Sequence, residues 1–370
     1  MPAPMKSWLR PSLSWLLVAV PVAVALEHFA PASQTAIFAF SCLAIVPLAG
    51  WMGRATEHLA ERAGEGIGGL LNATFGNAAE LIIAIMAMRR GLDAVVKASL
   101  TGSIVGNILL VLGAAVLAGG VKNPTQKFNA TAARSQATML ILAAIALIAP
   151  AAFHHLGGRQ ALLVEGRLSF DIALVLLATY VCGLIFTLVT HKALFTGGGG
   201  HDGQHPEGGR TWSVKKALGI LAVSTLFVAW MSEILVGSVE ATARALGMTE
   251  VFIGVVVVAI VGNAAEHSTA VLAAWRDRMD LALGIAVGSS VQIAIFVAPA
   301  LVLLSYLIAP HPMDLVFTVP EVLAVTLAVT VASQVASDGK SNWLEGVQLL
   351  AVYLILAMVF YFLPAAPLPV

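Results

Sequence analysis

Charged residues are scarce in this chain. Asp, Glu, Lys and Arg make up 11% of its 370 residues, whereas a soluble globular domain carries about 25%. Hydrophobic residues account for 59%, and the mean hydropathy is +0.91. This composition excludes a soluble enzyme and a disordered protein and places the chain in a lipid bilayer. Because 20 basic residues balance 20 acidic ones, the chain also lacks the basic surface that nucleic-acid binding needs.

Cysteines are few, and two hydrolase motifs are absent. Cys42 and Cys182 both lie in apolar runs without the spacing of metal ligands, so they are predicted to be packing residues. The sequence contains neither His-Glu-x-x-His nor Gly-x-Ser-x-Gly, which argues against an intramembrane hydrolase. We therefore expect a protein that is not an enzyme and has no cofactor.

Long apolar runs dominate what is present. Runs of roughly 20 residues, each long enough to cross a bilayer as a helix, occur at 12–27, 32–52, 66–89, 94–120, 132–152, 169–191, 213–240, 249–275, 281–309, 314–336 and 342–363. They show no period-2 alternation, which disfavours a barrel. The sequence predicts an all-α polytopic membrane protein with about eleven transmembrane helices. The first run also resembles a signal peptide, with a cleavage site near Ala25 as the alternative.

The distribution of positive charge predicts the orientation. If the N-terminus is cytoplasmic, 14 of the 20 Lys and Arg residues fall in cytoplasmic segments. Positive charge accumulates on the cytoplasmic side of membrane proteins. We therefore expect the N-terminus inside and, after eleven spans, the C-terminus outside.

The chain contains an internal repeat. Residues 67–105 align without gaps on residues 253–291, at an offset of 186, and both copies contain Gly-Asn-Ala-Ala-Glu, at 76–80 and 262–266. The copies lie in the third and eighth spans, so an odd number of crossings separates them and they run in opposite directions. Inverted repeats are typical of secondary transporters, whose substrate site lies near the bilayer midplane where the repeats meet.

The repeat predicts a domain organisation. We expect a first helix within 1–30, a five-helix repeat over 31–195, a cytosolic linker over 196–212 and a second five-helix repeat over 213–370. The linker is rich in glycine and carries His201, Asp202, His205 and Glu207. A flexible solvated linker is a better interpretation of this composition than a weak metal site.

Two acidic residues occupy equivalent places in the repeats. Glu80 and Glu266 each lie in an apolar run, where a carboxylate costs several kcal/mol and marks a functional site by default. Their pseudo-symmetric positions predict that the two side chains face each other across one site.

Other oxygen-bearing side chains accompany these acids. Asn77 and Asn263 precede them by three residues and share their helix faces. Spans four and nine add four more polar residues, Ser103, Asn107, Ser289 and Gln292. Carboxylate, amide and hydroxyl oxygens suit Ca²⁺, with Na⁺ or Mn²⁺ next. His267 adjoins Glu266 and has no counterpart, because Leu81 occupies the matching position; it is a candidate for proton exchange.

These motifs resemble a known family. The segments 69–81 and 262–267, together with 102–107, 232–240 and 288–293, are similar to the signature repeats of the calcium/proton antiporters, a family of the calcium:cation antiporter superfamily. The resemblance implies one extra helix plus two inverted five-helix repeats, and exchange of cytosolic Ca²⁺ for external H⁺. It also implies that Glu80 and Glu266 bind the cation and the protons, with the amides and hydroxyls as supporting ligands.

Charge balance supplies a mechanism for exchange. Two carboxylates are neutralised by one Ca²⁺ or by two protons, whereas the bare pair leaves two negative charges in a low-dielectric site. We expect the loaded forms to cross and the empty form not to cross.

Three further acids, Glu57, Glu233 and Glu240, lie near the ends of spans two and seven. They are predicted to line the approaches or to relay protons. Interfacial ion pairs with Arg54 and Arg244 are an equal alternative for Glu57 and Glu240.

Several alternatives stay open at this point. The same fold could exchange Na⁺ for Ca²⁺ or move Mn²⁺, and a passive cation channel is a more distant reading. The expected partners are Ca²⁺, H⁺ and the lipid bilayer, and a homo-oligomer is left open. The short N-terminus and linker indicate a bacterial inner membrane, although an organelle membrane would preserve the same topology.

Overall fold

The structure is a computed structural model that describes residues 13–191 and 212–364. Its helices are α1 (Leu13–Phe29), α2 (Gln34–Ala63), α3 (Glu65–Phe75), α4 (Ala78–Arg89), α5 (Asp93–Lys122), α6 (Ala130–Leu156), α7 (Gly158–Ile185), α8 (Val214–Leu246), α9 (Glu250–Gly262), α10 (Ala264–Trp275), α11 (Met279–Ile308), α12 (Val319–Val335) and α13 (Trp343–Phe362). Two short strands, β1 (Gln126–Lys127) and β2 (Lys340–Ser341), pair antiparallel.

The helices match the predicted spans. In the described part of the chain, seven helices are long and apolar enough to cross a membrane, and the bent pair α9 and α10 gives an eighth. Shorter helical segments, α1, α3 with α4, and α12, occupy the other three predicted positions. The prediction of an all-α polytopic membrane protein is confirmed.

Two predicted boundaries are wrong by several turns. α2 continues from residue 52 to Ala63, and α7 begins at Gly158 instead of residue 169. In both cases charged residues end the apolar run without ending the helix, because Arg54 and Glu57, like Glu165 and Arg167, are compatible with helical backbone. Apolar run length therefore underestimates helices that extend beyond the bilayer core.

The repeat is visible in the backbone. The turn between α4 and α5 has Gly91 at φ 72°, and the equivalent turn between α10 and α11 has Asp277 at φ 59°. Left-handed backbone favours glycine, so Asp277 needs outside support. Gln126 provides it, because its Nε2 donates to Asp277 Oδ1 at 2.9 Å and to the carbonyl oxygen of Ala274 at 2.8 Å.

Two loops tie each repeat to the other. The loop 123–129 contains β1, which pairs with β2, and its Asn129 backbone N–H donates to Asp280 Oδ1 of α11 at 2.6 Å. On the opposite face the loop 309–318 contacts α5, where Lys97 Nζ donates to Asp314 Oδ1 at 2.6 Å. We name the two faces of the protein the ribbon side and the strap side after these loops.

Candidate functional site

The signature motif forms a helix break in both repeats. α3 ends at Phe75 and α4 begins at Ala78, while α9 ends at Gly262 and α10 begins at Ala264. The axes of α9 and α10 differ by 63°. Glu80 and Glu266 therefore lie in the first turns of new helices. The positive end of each helix dipole stabilises a negative charge at this place.

The two carboxyl groups lie against each other's repeats. A Cβ added to Gly262 would lie 3.3 Å from Glu80 Cγ and 3.5 Å from Glu80 Oε1, and one added to Gly76 would lie 3.8 Å from Glu266 Oε1. Each acid thus packs over the glycine at the break of the other copy. A Cβ on Gly262 would crowd Glu80, whereas the tightest contact of a Cβ on Gly76 would be with the carbonyl oxygen of Asn72, at 2.6 Å.

The two carboxylates differ in their hydrogen bonds. Ser289 Oγ donates to Glu266 Oε2 at 2.5 Å. Glu80 Oε2 is buried and has no hydrogen-bond partner among the described residues. A buried oxygen without a partner is costly. The site therefore offers an acceptor that a cation or a proton would satisfy.

Amide side chains join the repeats around the acids. Asn77 Nδ2 donates to Gln292 Oε1 at 2.6 Å. Asn263 Nδ2 donates to Ser103 Oγ at 3.0 Å, and Asn107 Nδ2 donates to Asn263 Oδ1 at 3.2 Å. The structure thus brings together Glu80, Glu266 and all six amide and hydroxyl residues that the sequence singled out. Their individual roles remain predictions.

The oxygen donors of the site are suited to a hard cation. Two carboxylates with neutral oxygen donors fit the preference of Ca²⁺ for oxygen ligands. Within residues 13–191 and 212–364, no group of three or more His, Cys, Asp and Glu side chains is placed to hold a metal ion.

The access candidates lie at different distances from this centre. Glu57 is exposed on α2 and is close enough to Glu266 for their charges to interact. Glu233 on α8 lies 4.0 Å from Arg90, and both side chains are largely exposed. Glu240 pairs with Arg244 at 3.2 Å, as the interfacial alternative predicted. His267 is partly buried on α10 beside Glu266.

Sequence reasoning missed one residue on the approach to the site. Asn72 is exposed on α3, and its carbonyl oxygen accepts from the backbone N–H of Gly76 at 2.8 Å, directly before the helix break. The signal in the sequence was a polar residue four positions before the motif glycine. Four π-helical turns of the described chain were also missed, at Gly106–Val111, Phe186–Thr190, Ile253–Val258 and Ile293–Val297. The first contains Asn107, and the last directly follows Gln292.

Comparisons with known proteins agree with this architecture. The family described as "Sodium/calcium exchanger protein" matches residues 33–189 and 216–362. The chain is 45% identical over 361 residues to a Ca(2+)/H(+) antiporter of Synechocystis, which covers 94% of this chain and 96% of that protein. It is 46% identical over 331 residues to the Ca(2+)/H(+) antiporter ChaA of Bacillus subtilis, covering 88% and 92%.

Solved structures show the same fold. The structure of native YfkE superposes with a TM-score of 0.81 at 42% identity and covers 95% of this chain and all of that one. The H+/Ca2+ exchanger CAX gives a TM-score of 0.66 at 16% identity, covering 94% and 91%, which shows the fold alone. With its two matched segments and its paired helix breaks, the chain belongs to the sodium/calcium exchanger protein family.

Proposed function

We propose that the protein exchanges Ca²⁺ for H⁺ across a membrane by alternating access, with Glu80 and Glu266 carrying either one Ca²⁺ or two protons. The observation that carries the proposal is the reciprocal placement of the two acids, each against the glycine of the other repeat. Relatives named Ca(2+)/H(+) antiporters at 44–46% identity support Ca²⁺ and H⁺ as the substrates.

Charge balance explains why transport is coupled. One Ca²⁺ or two protons neutralise the pair, whereas the unloaded pair carries two negative charges in a low-dielectric site. The helix dipoles and Ser289 stabilise part of that charge but leave Glu80 Oε2 without a partner. The empty carrier therefore stays on one side until it is loaded, and net movement of one substrate requires the other.

The distribution of basic residues supports an orientation. The segments on the ribbon side carry 14 of the 20 Lys and Arg residues of the chain, among them Arg54, Lys122 and Arg276. By the positive-inside rule, this excess supports a cytoplasmic ribbon side. With the bacterial relatives, it supports a bacterial inner membrane, with Ca²⁺ exported against entering protons.

The test is ⁴⁵Ca²⁺ flux in proteoliposomes under an imposed pH gradient. Wild type is expected to show flux that a protonophore abolishes. Glu80→Gln and Glu266→Gln are each expected to reduce it at least about 100-fold, because a neutral side chain can no longer alternate between Ca²⁺ and H⁺. Glu27→Gln, an exposed acid at the end of α1, serves as the matched control.

Two results would contradict the proposal. Flux that does not depend on pH but depends on a Na⁺ gradient would mean that the coupling ion is Na⁺ and not H⁺, at the same site. Flux that survives neutralisation of one acid, with altered selectivity, would indicate a channel.

A further inference from the structure

The two repeats differ at two adjacent positions beside the site. Gly106 in the first copy corresponds to Gln292 in the second, and Asn107 corresponds to Ile293. Each copy therefore has one amide side chain that the other lacks, Asn107 in the first and Gln292 in the second. In the alignment of the two copies these amides occupy adjacent positions. Both contact an asparagine at a helix break of the opposite repeat.

Because Gln292 and Asn107 have no counterpart in the other repeat, the asparagines that they contact, Asn77 and Asn263, differ in their hydrogen bonds. The Asn263 oxygen accepts from Asn107 Nδ2, while its own Nδ2 donates to Ser103 Oγ and to the Ala259 carbonyl oxygen. Asn263 is thus bonded at both ends. Asn77 is nearly fully buried and donates through Nδ2 to Gln292, but its Oδ1 has no partner among the described residues.

We propose that Gln292 is a positioning residue of the cation site: by accepting a hydrogen bond from Asn77 Nδ2, it turns the Asn77 oxygen toward the bound Ca²⁺. Of the two asparagines at the helix breaks, only Asn77, in the first repeat, then supplies a neutral ligand. This proposal revises the prediction of Gln292 and Asn263 as ligands, and it rests on the proposed function only for the identity of the ion.

The physical reason is the two-ended nature of a carboxamide. One end accepts and the other donates, and a rotation of 180° about the last side-chain bond exchanges them. An NH₂ group aimed at a divalent cation would repel it, whereas the oxygen would bind it. The Gln292 oxygen lies 2.6 Å from Asn77 Nδ2 and accepts its hydrogen bond, which favours the orientation that leaves the Asn77 oxygen available to the cation.

The surroundings support this assignment. Asn77 precedes Glu80 by three residues across the helix break, and Glu80 Oε2 is the other buried oxygen of the site without a partner. The two unpartnered oxygens thus belong to neighbouring residues of one repeat. Asn107 has the opposite effect at Asn263, because it occupies the oxygen that would otherwise be free.

A double-mutant cycle separates positioning from direct binding. The variants are Gln292→Leu, Asn77→Ala and the two combined, with ⁴⁵Ca²⁺ flux measured in proteoliposomes as a function of Ca²⁺ concentration. Each single change is expected to raise the half-saturating Ca²⁺ concentration about tenfold, with a maximal rate within about twofold of wild type. The double variant is expected to match Asn77→Ala alone, because Gln292 then has nothing to position.

The control lies on the same helix. Ser290 is buried two residues before Gln292 and donates to the carbonyl oxygen of Ile104 at 3.3 Å, which also links the repeats. Ser290→Ala should leave the half-saturating concentration unchanged. A comparable rise would show that any lost contact between the repeats has this effect, and it would overturn the positioning role.

Other outcomes are equally decisive. If Gln292 is itself a ligand, the two effects multiply to about 100-fold in the double variant. Unchanged Ca²⁺ dependence in Gln292→Leu would refute the role outright. Gln292→Met serves if the leucine variant does not fold. The same double-mutant cycle can be measured by equilibrium ⁴⁵Ca²⁺ binding in detergent, which does not depend on transport. A wild-type protein that binds Ca²⁺ without exchanging it would contradict the proposed function but not this inference.

Discussion

Two helix crossings that the repeat makes equivalent are packed very differently. On the strap side α5 crosses α9 so closely that a Cβ on Gly102 would overlap the carbonyl oxygen of Val255, and one on Gly254 would lie 2.6 Å from Ala98 Cβ. At the equivalent position on the ribbon side, a Cβ on Gly288 of α11 would meet nothing nearer than Gln136 Nε2, at 3.9 Å. Related sequences thus form one tight crossing and one open one.

Exposure follows the same division. Ala98 is fully buried, whereas its counterpart Gly284 is exposed. Val258 on α9 is 3% exposed, whereas its counterpart Asn72 on α3 is exposed. We therefore expect the path to Glu80 and Glu266 to be closed on the strap side and open on the ribbon side. Since the two halves are related by inverted symmetry, exchanging their packing would open the other side, as alternating access requires.

Among the tests of this packing difference, the largest expected effect comes from blocking the tight crossing. Gly102→Ala should reduce Ca²⁺ flux about 30-fold. Overpacking the close contact raises the free energy of the conformation with the tight crossing by about 2 kcal/mol, so the protein adopts this conformation less often during the transport cycle. Gly288→Ala is the matched control and should keep at least about half of the wild-type flux, since its Cβ meets only ordinary contacts. The measurement is ⁴⁵Ca²⁺ flux at equal amounts of folded protein. Equal losses in both variants would mean that the packing difference has no bearing on transport.

The sequence predicted the repeat but not the difference in packing between the two crossings. Gly-Asn-Ala-Ala-Glu occurs in both copies, so the local structure it dictates, a helix break followed by an acid in the first turn, is the same in both. Gly102 and Gly288 are likewise aligned and identical. Which of them lies at a close crossing depends on the tertiary arrangement of the two halves, and no local pattern contains that information.

The partners of the polar residues were also beyond the sequence. The spacing of Asn77 and Glu80 placed them on one face, but it could not show that Asn77 reaches Gln292, 215 positions away. Likewise, the apolar runs gave the helices, whereas the charged turns at the end of α2 and the start of α7 were left out because hydropathy reports burial in lipid and not helical backbone.

Cysteine labelling should show a smaller but more direct difference. In a background with Cys42→Ser and Cys182→Ser, Asn72→Cys should react with a charged thiol reagent about tenfold faster than Val258→Cys, because only the first lies on an open path. The reagent should reach it from the ribbon side alone. Equal rates would show that the two sides do not differ in access, and faster labelling at position 258 would show that the strap side is the open one.

The smallest effect concerns the charges at the two approaches. Glu57 is exposed on α2 and its charge interacts with Glu266, whereas Glu240, at the corresponding place on α8, is neutralised by Arg244 at 3.2 Å. An exposed carboxylate at the approach to the site attracts cations, so Glu57→Gln should raise the half-saturating Ca²⁺ concentration about threefold at low salt and less at high salt, because ions screen charge over about 10 Å at 0.1 M. Glu240→Gln should change it by less than about 1.5-fold, since exposed ion pairs contribute little. Ca²⁺ titrations of flux at two ionic strengths measure both. A salt-independent loss in Glu57→Gln would instead mean that this residue binds the ion or its proton directly.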